Sequence, residues 1–267
     1  MNTDSLFKQA EACISASQVA DKIALTRELE TAWQEGQLSL QRHSPVLRFE
    51  IPGRPGKPEL VPARELNRRK PSSAVGHAAL IHSICHIEFN AINLALDAVY
   101  RFQDMPEQFY SDWIQVAAEE AYHFELLQQH LGTLGYNYGD FTAHNGLWES
   151  ALLTGHDPLV RMALVPRVLE ARGLDVTPGI IQKLKNIGDD KAVAILDIIH
   201  RDEIGHVEAG SRWFRYLCDE RGLDSEETFA ALLKEHMKGF IRGPFDHAVR
   251  KRAGFSEEEL RYLESAL

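Results

Sequence analysis

Apolar residues recur at three- and four-residue spacing along most of the chain, and almost nowhere do they adopt the two-residue alternation of a half-buried strand. Leu6, Ala10, Cys13 and Ile14 make one stripe, and Asp21 caps a second helix running to about Gly36, so residues 4–36 read as two helices. Between His43 and Pro71 the texture changes. Pro45, Pro52, Pro55, Pro58 and Pro62, with Gly53 and Gly56, exclude a continuous helix and predict an extended arm. A long helix follows from Ser72 to about Phe102, its stripe formed by Ile81, Ile84, Glu88, Ile92, Ala95 and Val99. Met105-Pro106 ends it, and a second long helix runs from about Pro106 to Leu134 with Trp113, Val116, Leu127 and Leu131 on one face. Residues 132–147 read as a Gly/Tyr/Asn-rich loop, and a short helical piece lies around Leu147–Leu153.

Asp157-Pro158 has the form of an N-cap followed by proline in the first turn. The helix it starts runs to about Gly173, with a kink or a freed carbonyl expected at Pro166. Thr177-Pro178 is expected to start a separate short helix to about Asn186. A long helix then spans Asp190 to about Arg221, and two more lie around Glu226–Ile241 and Glu257–Ala266. The reading is all-α, in three segments: residues 1–71 as N-terminal helices and basic arm, 72–221 as a four-helix bundle, and 222–267 as C-terminal helices packing on it.

Polar groups that interrupt the apolar stripes carry the chemistry. Glu88, Glu120, His123, Glu170, Glu203 and His206 all fall on apolar faces. Within Glu120-Ala-Tyr-His123 and Glu203-Ile-Gly-His206 the acid and the imidazole are three residues apart, so they share a helix face. One such tetrad means little in a chain of this length, but the order repeats. Glu88 to Glu170 spans 82 residues, and Glu120 to Glu203 and His123 to His206 each span 83. The chain reads twice as a helix with one inward Glu, then a helix with inward Glu-x-x-His. That set matches a di-metal site built inside a helical bundle. Four carboxylates balance two divalent cations, and mixed O/N donors suit iron or manganese better than zinc. Without a metal, four ionised carboxylates in one apolar core would repel strongly.

Composition narrows the surroundings. The net charge of −10 argues against a generally basic nucleic-acid binder, and 44% hydrophobic residues suffice for a substantial core. Cys13, Cys85 and Cys218 lack C-x-x-C spacing, which fits a reducing cytosol and offers neither disulfide framework nor zinc cluster. The N-terminus has no signal-peptide pattern and no stretch approaches a membrane span, so a soluble cytoplasmic protein is expected. The arm is basic toward its end, where Arg64, Arg68 and Arg69 accompany Lys70, and Arg242 and Arg250 lie in a second basic stretch interleaved with Phe240, Phe245 and Phe255. The arm reads either as a solvated linker over the bundle or as a contact surface for an anionic substrate. His82 and His86 are expected at the surface, Tyr122 off the metal face, and Cys85 as a small core residue.

With these residues in hand the chain resembles the ferritin-like di-metal carboxylate superfamily over about residues 72–220, specifically an uncharacterised bacterial family carrying a domain of unknown function. Its ligand layout is similar to that of the tRNA-hydroxylating di-iron enzymes and, more distantly, of rubrerythrins and bacterial di-iron monooxygenases. The resemblance implies a ferritin-like four-helix bundle with extra N- and C-terminal helices. It implies two metal ions, iron first with Mn/Fe or Mn as alternatives, and O₂ as co-substrate. An acidic residue precedes the Glu of Glu-x-x-His in the monooxygenases, which assigns Asp202 and Glu119 as orienters of His123 and His206 respectively. The implied activity is oxidation or hydroxylation of a small-molecule or tRNA-like substrate with an external electron donor, in a chain that can dimerise. The alternative is metal handling or peroxide scavenging of the ferritin or rubrerythrin kind, against which stand the added arms and the lack of a four-cysteine rubredoxin site.

Overall fold

The computed structural model describes residues 4–42, 44–67, 69–237 and 241–266. Its fold is all-helical: the described residues contribute only a two-residue parallel strand pair, Asp4–Ser5 with Leu38–Ser39, and one isolated bridge. Two compact units divide the chain, Met1–Leu152 and Leu153–Leu267.

In the first unit α1 (Leu6–Ser15) and α2 (Val19–Gln34) pack with α3 (Ala74–Arg101) and α4 (Glu107–Thr133), and α5 (Gly146–Thr154) begins near its end. Ser73 starts α3 by accepting a hydrogen bond from the Gly76 amide, and α2 opens at Gln18 with Asp21 in its first turn rather than as the cap. By length and composition α3 is apolar enough to cross a membrane, but 78% of its most apolar window is buried, because it packs on α1, on α4 and beneath the loop after α4. Lys22 is sealed inside this unit. Its ammonium donates to the Cys13 and Ile14 carbonyls at the C-terminal end of α1, and to Asn93 Oδ1 on α3. These three acceptors match its three N–H donors.

The arm is non-helical apart from one 3₁₀ turn at Ala63–Glu65, and it is tied down along its length. The Gly53 amide donates to the Ile14 carbonyl, the Leu47 amide to Tyr100 Oη, and Trp148 Nε1 to the Phe49 carbonyl. Val61 and Glu59 exchange backbone hydrogen bonds with Ala143. A Cβ on Gly53 would lie 2.3 Å from the Ser15 carbonyl oxygen, so only glycine allows that approach.

In the second unit Asp157 caps α6 (Pro158–Leu164), accepting from the Leu159 amide with Pro158 in the first turn. The chain then widens into a π-helical turn, Val165–Glu170, at the predicted Pro166 disturbance. It continues unbroken into α7 (Ala171–Asn186). This corrects the expected stop at Gly173 and restart at Pro178: Pro178 sits inside α7, and the only discontinuity is the π turn. Helix α8 (Asp190–Glu220) packs on α6, the π turn and α7, followed by α9 (Ser225–His236), a short α10 (His247–Arg252) and α11 (Glu257–Ser265). A buried cation organises this end. The Arg167 guanidinium lies 4.7, 4.2 and 4.6 Å from the rings of Phe214, Phe229 and Phe255 and pairs with Glu259 at 2.6 Å. Glu259 also closes the Ser256 capping box, which fixes α11 to the same point.

Candidate metal centre

In the first unit Glu88 of α3 meets Glu120 and His123 of α4. The three offer donor atoms all within 4.8 Å of one another, and all are buried. His123 Nδ1 lies 3.3 Å from Glu88 Oε2 and 3.6 Å from Glu120 Oε2. Glu88 Oε2 is shut off from solvent and meets His123 without hydrogen-bond alignment. Burial, reinforced by the Glu120 carboxylate, pushes Glu88 up to about 8. For His123 burial acts downward, but the Glu120 and Glu88 carboxylates outweigh it and hold the imidazole up at about 11. In the absence of metal, protons on this ring and on Glu88 limit the negative charge buried in the cluster.

In the second unit Glu203 and His206 project from the same side of α8. His206 Nδ1 lies 3.8 Å from Glu203 Oε2, with His206 buried and the Glu203 side chain nearly so. Both Glu-x-x-His turns thus point the same imidazole nitrogen at their own glutamate, by 3.6 Å in α4 and 3.8 Å in α8. Glu170 closes the π turn and is half-buried. The π turn reaches α8 because position 210 lacks a side chain: a Cβ there would stand 2.4 Å from Pro166 Cγ.

The donor set fits a metal. Each Glu-x-x-His gives a carboxylate oxygen and an imidazole nitrogen from one helix face, and Glu88 adds a carboxylate whose buried oxygen lacks an aligned hydrogen. Buried apolar side chains lie one or two turns from the ligands on both helices, Ile81, Ile84 and Ile92 on α3 and Phe124 and Leu127 on α4.

The other expected residues are placed as follows. Asp202 accepts from Arg201, at 2.8 Å from Nε and 3.2 Å from Nη2. Glu119 is half-exposed and accepts from Gln115 at 2.9 Å. Arg64 and Arg242 are exposed. Arg69 is exposed too, with its guanidinium 5.2 Å from the Phe141 ring. Arg68 and Phe240 lie outside the described residues. Arg250, expected as an anion contact, is 2% exposed, and its guanidinium pairs with Asp175 at 2.7 Å, donates to the Ala171 carbonyl and packs on Phe245 and Phe255. Phe255 is buried and Phe245 partly so, and this stretch holds α10 in place instead of presenting the Arg250 cation to solvent.

Two histidines expected at the surface are buried. His82 accepts from the Gly139 amide at 2.9 Å, and His86 contacts Tyr138 Oη at 2.8 Å and the His144 carbonyl at 3.1 Å. Tyr138 stacks on both rings and meets Phe89 and Phe124. Burial lowers both histidines to about 4. The cause is the loop after α4, which folds back over this face of α3; nothing in the local pattern of α3 announces that cover. Tyr122 is exposed and Cys85 is buried beside the Phe124 carbonyl, as the helical spacing predicts.

No solved structure matches the chain. It is similar to an uncharacterised protein of Haemophilus influenzae, 43% identical over 267 residues, covering 96% of this chain and 93% of that protein. Residues 15–261, nearly the whole chain and both Glu-x-x-His turns, match one family, and the chain belongs to it: the family described as protein of unknown function, DUF455.

Proposed function

We propose that the chain is a di-metal carboxylate oxidoreductase of the ferritin-like kind. Glu88, Glu120 and His123 from the first unit and Glu170, Glu203 and His206 from the second would hold two metal ions per chain, iron first. The observation that carries the reading is the shared geometry of the two Glu-x-x-His turns, each with imidazole Nδ1 under 4 Å from its own glutamate oxygen. The assignment of both triads to one di-metal set rests on the repeat of 82 and 83 residues in the sequence.

Two redox-active metals supply, when bound, the electrons that reduce O₂ and the oxidising power applied to an organic substrate. The chain's own contribution is to bind, to orient and to exclude water. The carboxylates of Glu88 and Glu120 provide charge where burial otherwise disfavours it. Ile81, Ile84 and Ile92 on α3, with Phe124 and Leu127 on α4, keep solvent from the reacting atoms. Asp202 and Glu119, each preceding a ligand glutamate, are proposed to orient the imidazoles of His123 and His206 respectively. A small-molecule or RNA-linked anionic substrate would use exposed arginines such as Arg64 and Arg242.

Metal analysis followed by anaerobic Fe(II) loading and exposure to O₂ tests this. The expected result is two irons per chain and a transient near-ultraviolet or visible absorption without further uptake. Iron uptake in the hundreds per assembly would move the protein to storage. Absence of stoichiometric metal under all loading conditions would refute the site.

A further inference from the structure

A cavity of about 360 Å³ lies inside the first unit, on the side of α3 turned away from Glu88. Its α3 wall is formed by residues 76, 79, 80, 83, 86, 87 and 90, an i, i+3, i+4, i+7 series. Glu88 belongs to the opposite side, where it meets His123 of α4. The far wall is the end of the arm and the 141–147 segment of the loop that covers α3. The size is at the lower end of the ~300–1,000 Å³ usual for small-molecule sites.

Its chemistry is selective. Among the described residues none that lines it is acidic, in a chain whose net charge is −10, and Arg69 is one of them. Among the described residues no carboxylate pairs with Arg69; its guanidinium rests over Phe141 at 5.2 Å, positioned at the cavity by an aromatic face instead of an ion pair. The walls are mainly apolar, and Ile87 is 46% exposed, an unusual degree for an isoleucine on a helix otherwise so deeply buried. Asn90, 5% exposed, donates from its amide nitrogen to the His86 carbonyl at 2.8 Å, and among the described residues no donor reaches its Oδ1. His86 also lines the cavity, its ring held between Tyr138 Oη and the His144 carbonyl.

We infer that this cavity is a binding site, separate from the metal centre, for a small organic anion with an apolar body. Its carboxylate would pair with Arg69, its body would cover Ile87, Leu80 and Leu147, and a hydroxyl or amino group would donate to Asn90 Oδ1. The inference does not rest on the metal reading, because α3 stands between the cavity and Glu88.

The test is calorimetric or ligand-observed NMR titration of the full chain, metal-loaded and chelated, with a panel of aromatic and branched aliphatic carboxylates led by 4-hydroxyphenylacetate. Binding is expected in both metal states. It should weaken about tenfold or more in Arg69→Gln, and equally for the neutral 4-hydroxyphenylacetamide, since a charge-assisted hydrogen bond is lost in each. Ser83→Phe, at an exposed position on the cavity wall, should fill the space and abolish binding. Arg69 is also exposed, so neither variant threatens the fold. No binding by any panel member at about millimolar concentration, or affinity unchanged in both variants, would overturn the inference.

Discussion

Glu88 Oε2 and His123 Nδ1 lie 3.3 Å apart across α3 and α4, both side chains buried, with Glu120 Oε2 3.6 Å from the same nitrogen. One imidazole between two carboxylates is a workable arrangement for a proton and a better one for a metal. The cost of the metal-free state shows in Glu88, pushed up to about 8 by burial and by Glu120. An unfolded chain sheds that proton above about 4.5 while the folded one keeps it to about 8, so the group lowers stability progressively across that window.

Glu88→Gln should therefore act in opposite directions on two measurements. In chelated protein it removes the cost of holding the carboxyl protonated, and the melting temperature at pH 7.5 should rise, each ~1 kcal/mol being worth about 2–4 °C. At pH 4.5 that gain should vanish. Metal content should fall, because an amide is a poorer ligand than a carboxylate. Thermal shift with and without chelator, alongside metal analysis, checks both; a lower melting point in the chelated variant at pH 7.5 would contradict the account.

How much of this was readable from the sequence depended on whether the cause was local. Helix positions, the Asp157-Pro158 start and the inward stripe holding Glu88, Glu120 and His123 follow from spacing, and the structure places those three side chains together. The Pro166 disturbance was legible as a position, not as a π turn, because its form depends on α8 offering Gly210 opposite it. Pro178 misled, since proline more often opens a helix than sits within one, and here α7 runs through it from the π turn. Burial of His82, His86 and Arg250 was invisible: each is covered by a segment remote in sequence, the loop after α4 for the histidines and the Asp175 turn of α7 for the arginine.

The two glycines of α8 near the ligand turn should respond oppositely to the same substitution. Gly205 has open space around its Cβ position, so Gly205→Ala should stabilise the helix by about 1 kcal/mol. Gly210→Ala would set a methyl 2.4 Å from Pro166 Cγ, on a ring that cannot rotate away. It should cost about 1–3 kcal/mol through forced repacking and displace the turn that ends at Glu170. Urea unfolding of the pair measures this, and an unchanged or raised midpoint in Gly210→Ala would remove the close approach from the argument.

His82 and His86 should resist protonation to unusually low pH. Burial holds both near 4, against an ordinary value near 6.5. The unfolded chain gains these protons first as pH falls, so stability should decline from about pH 6.5 downward, by up to ~1.4 kcal/mol per pH unit for each ring. Histidine-selective NMR should show both rings neutral at pH 5.5 in folded protein, while Tyr138→Phe, which removes the hydroxyl at 2.8 Å from His86, perturbs that ring's resonances. Protonation of either ring near pH 6.5 in intact protein would refute the burial argument.

Lys22 gives the opposite end of the pH scale. Burial lowers its ammonium to about 7, although three acceptors surround it. The unfolded chain keeps that proton to about 10.5, so between pH 7 and 10.5 the unfolded state binds more protons and this group favours folding increasingly as pH rises. Cys13 works against it only above about 9, where the unfolded thiol ionises and the buried one, pushed up to about 12, does not. The clean window is therefore pH 7–9. Because Glu88 and His123 also titrate in metal-free protein, the quantity to measure is the difference between the intact chain and Lys22→Met. That difference in unfolding free energy should grow in favour of the lysine by up to ~1.4 kcal/mol per pH unit across the window. A difference independent of pH would show that the ammonium stays charged in the core, held by the Cys13, Ile14 and Asn93 oxygens.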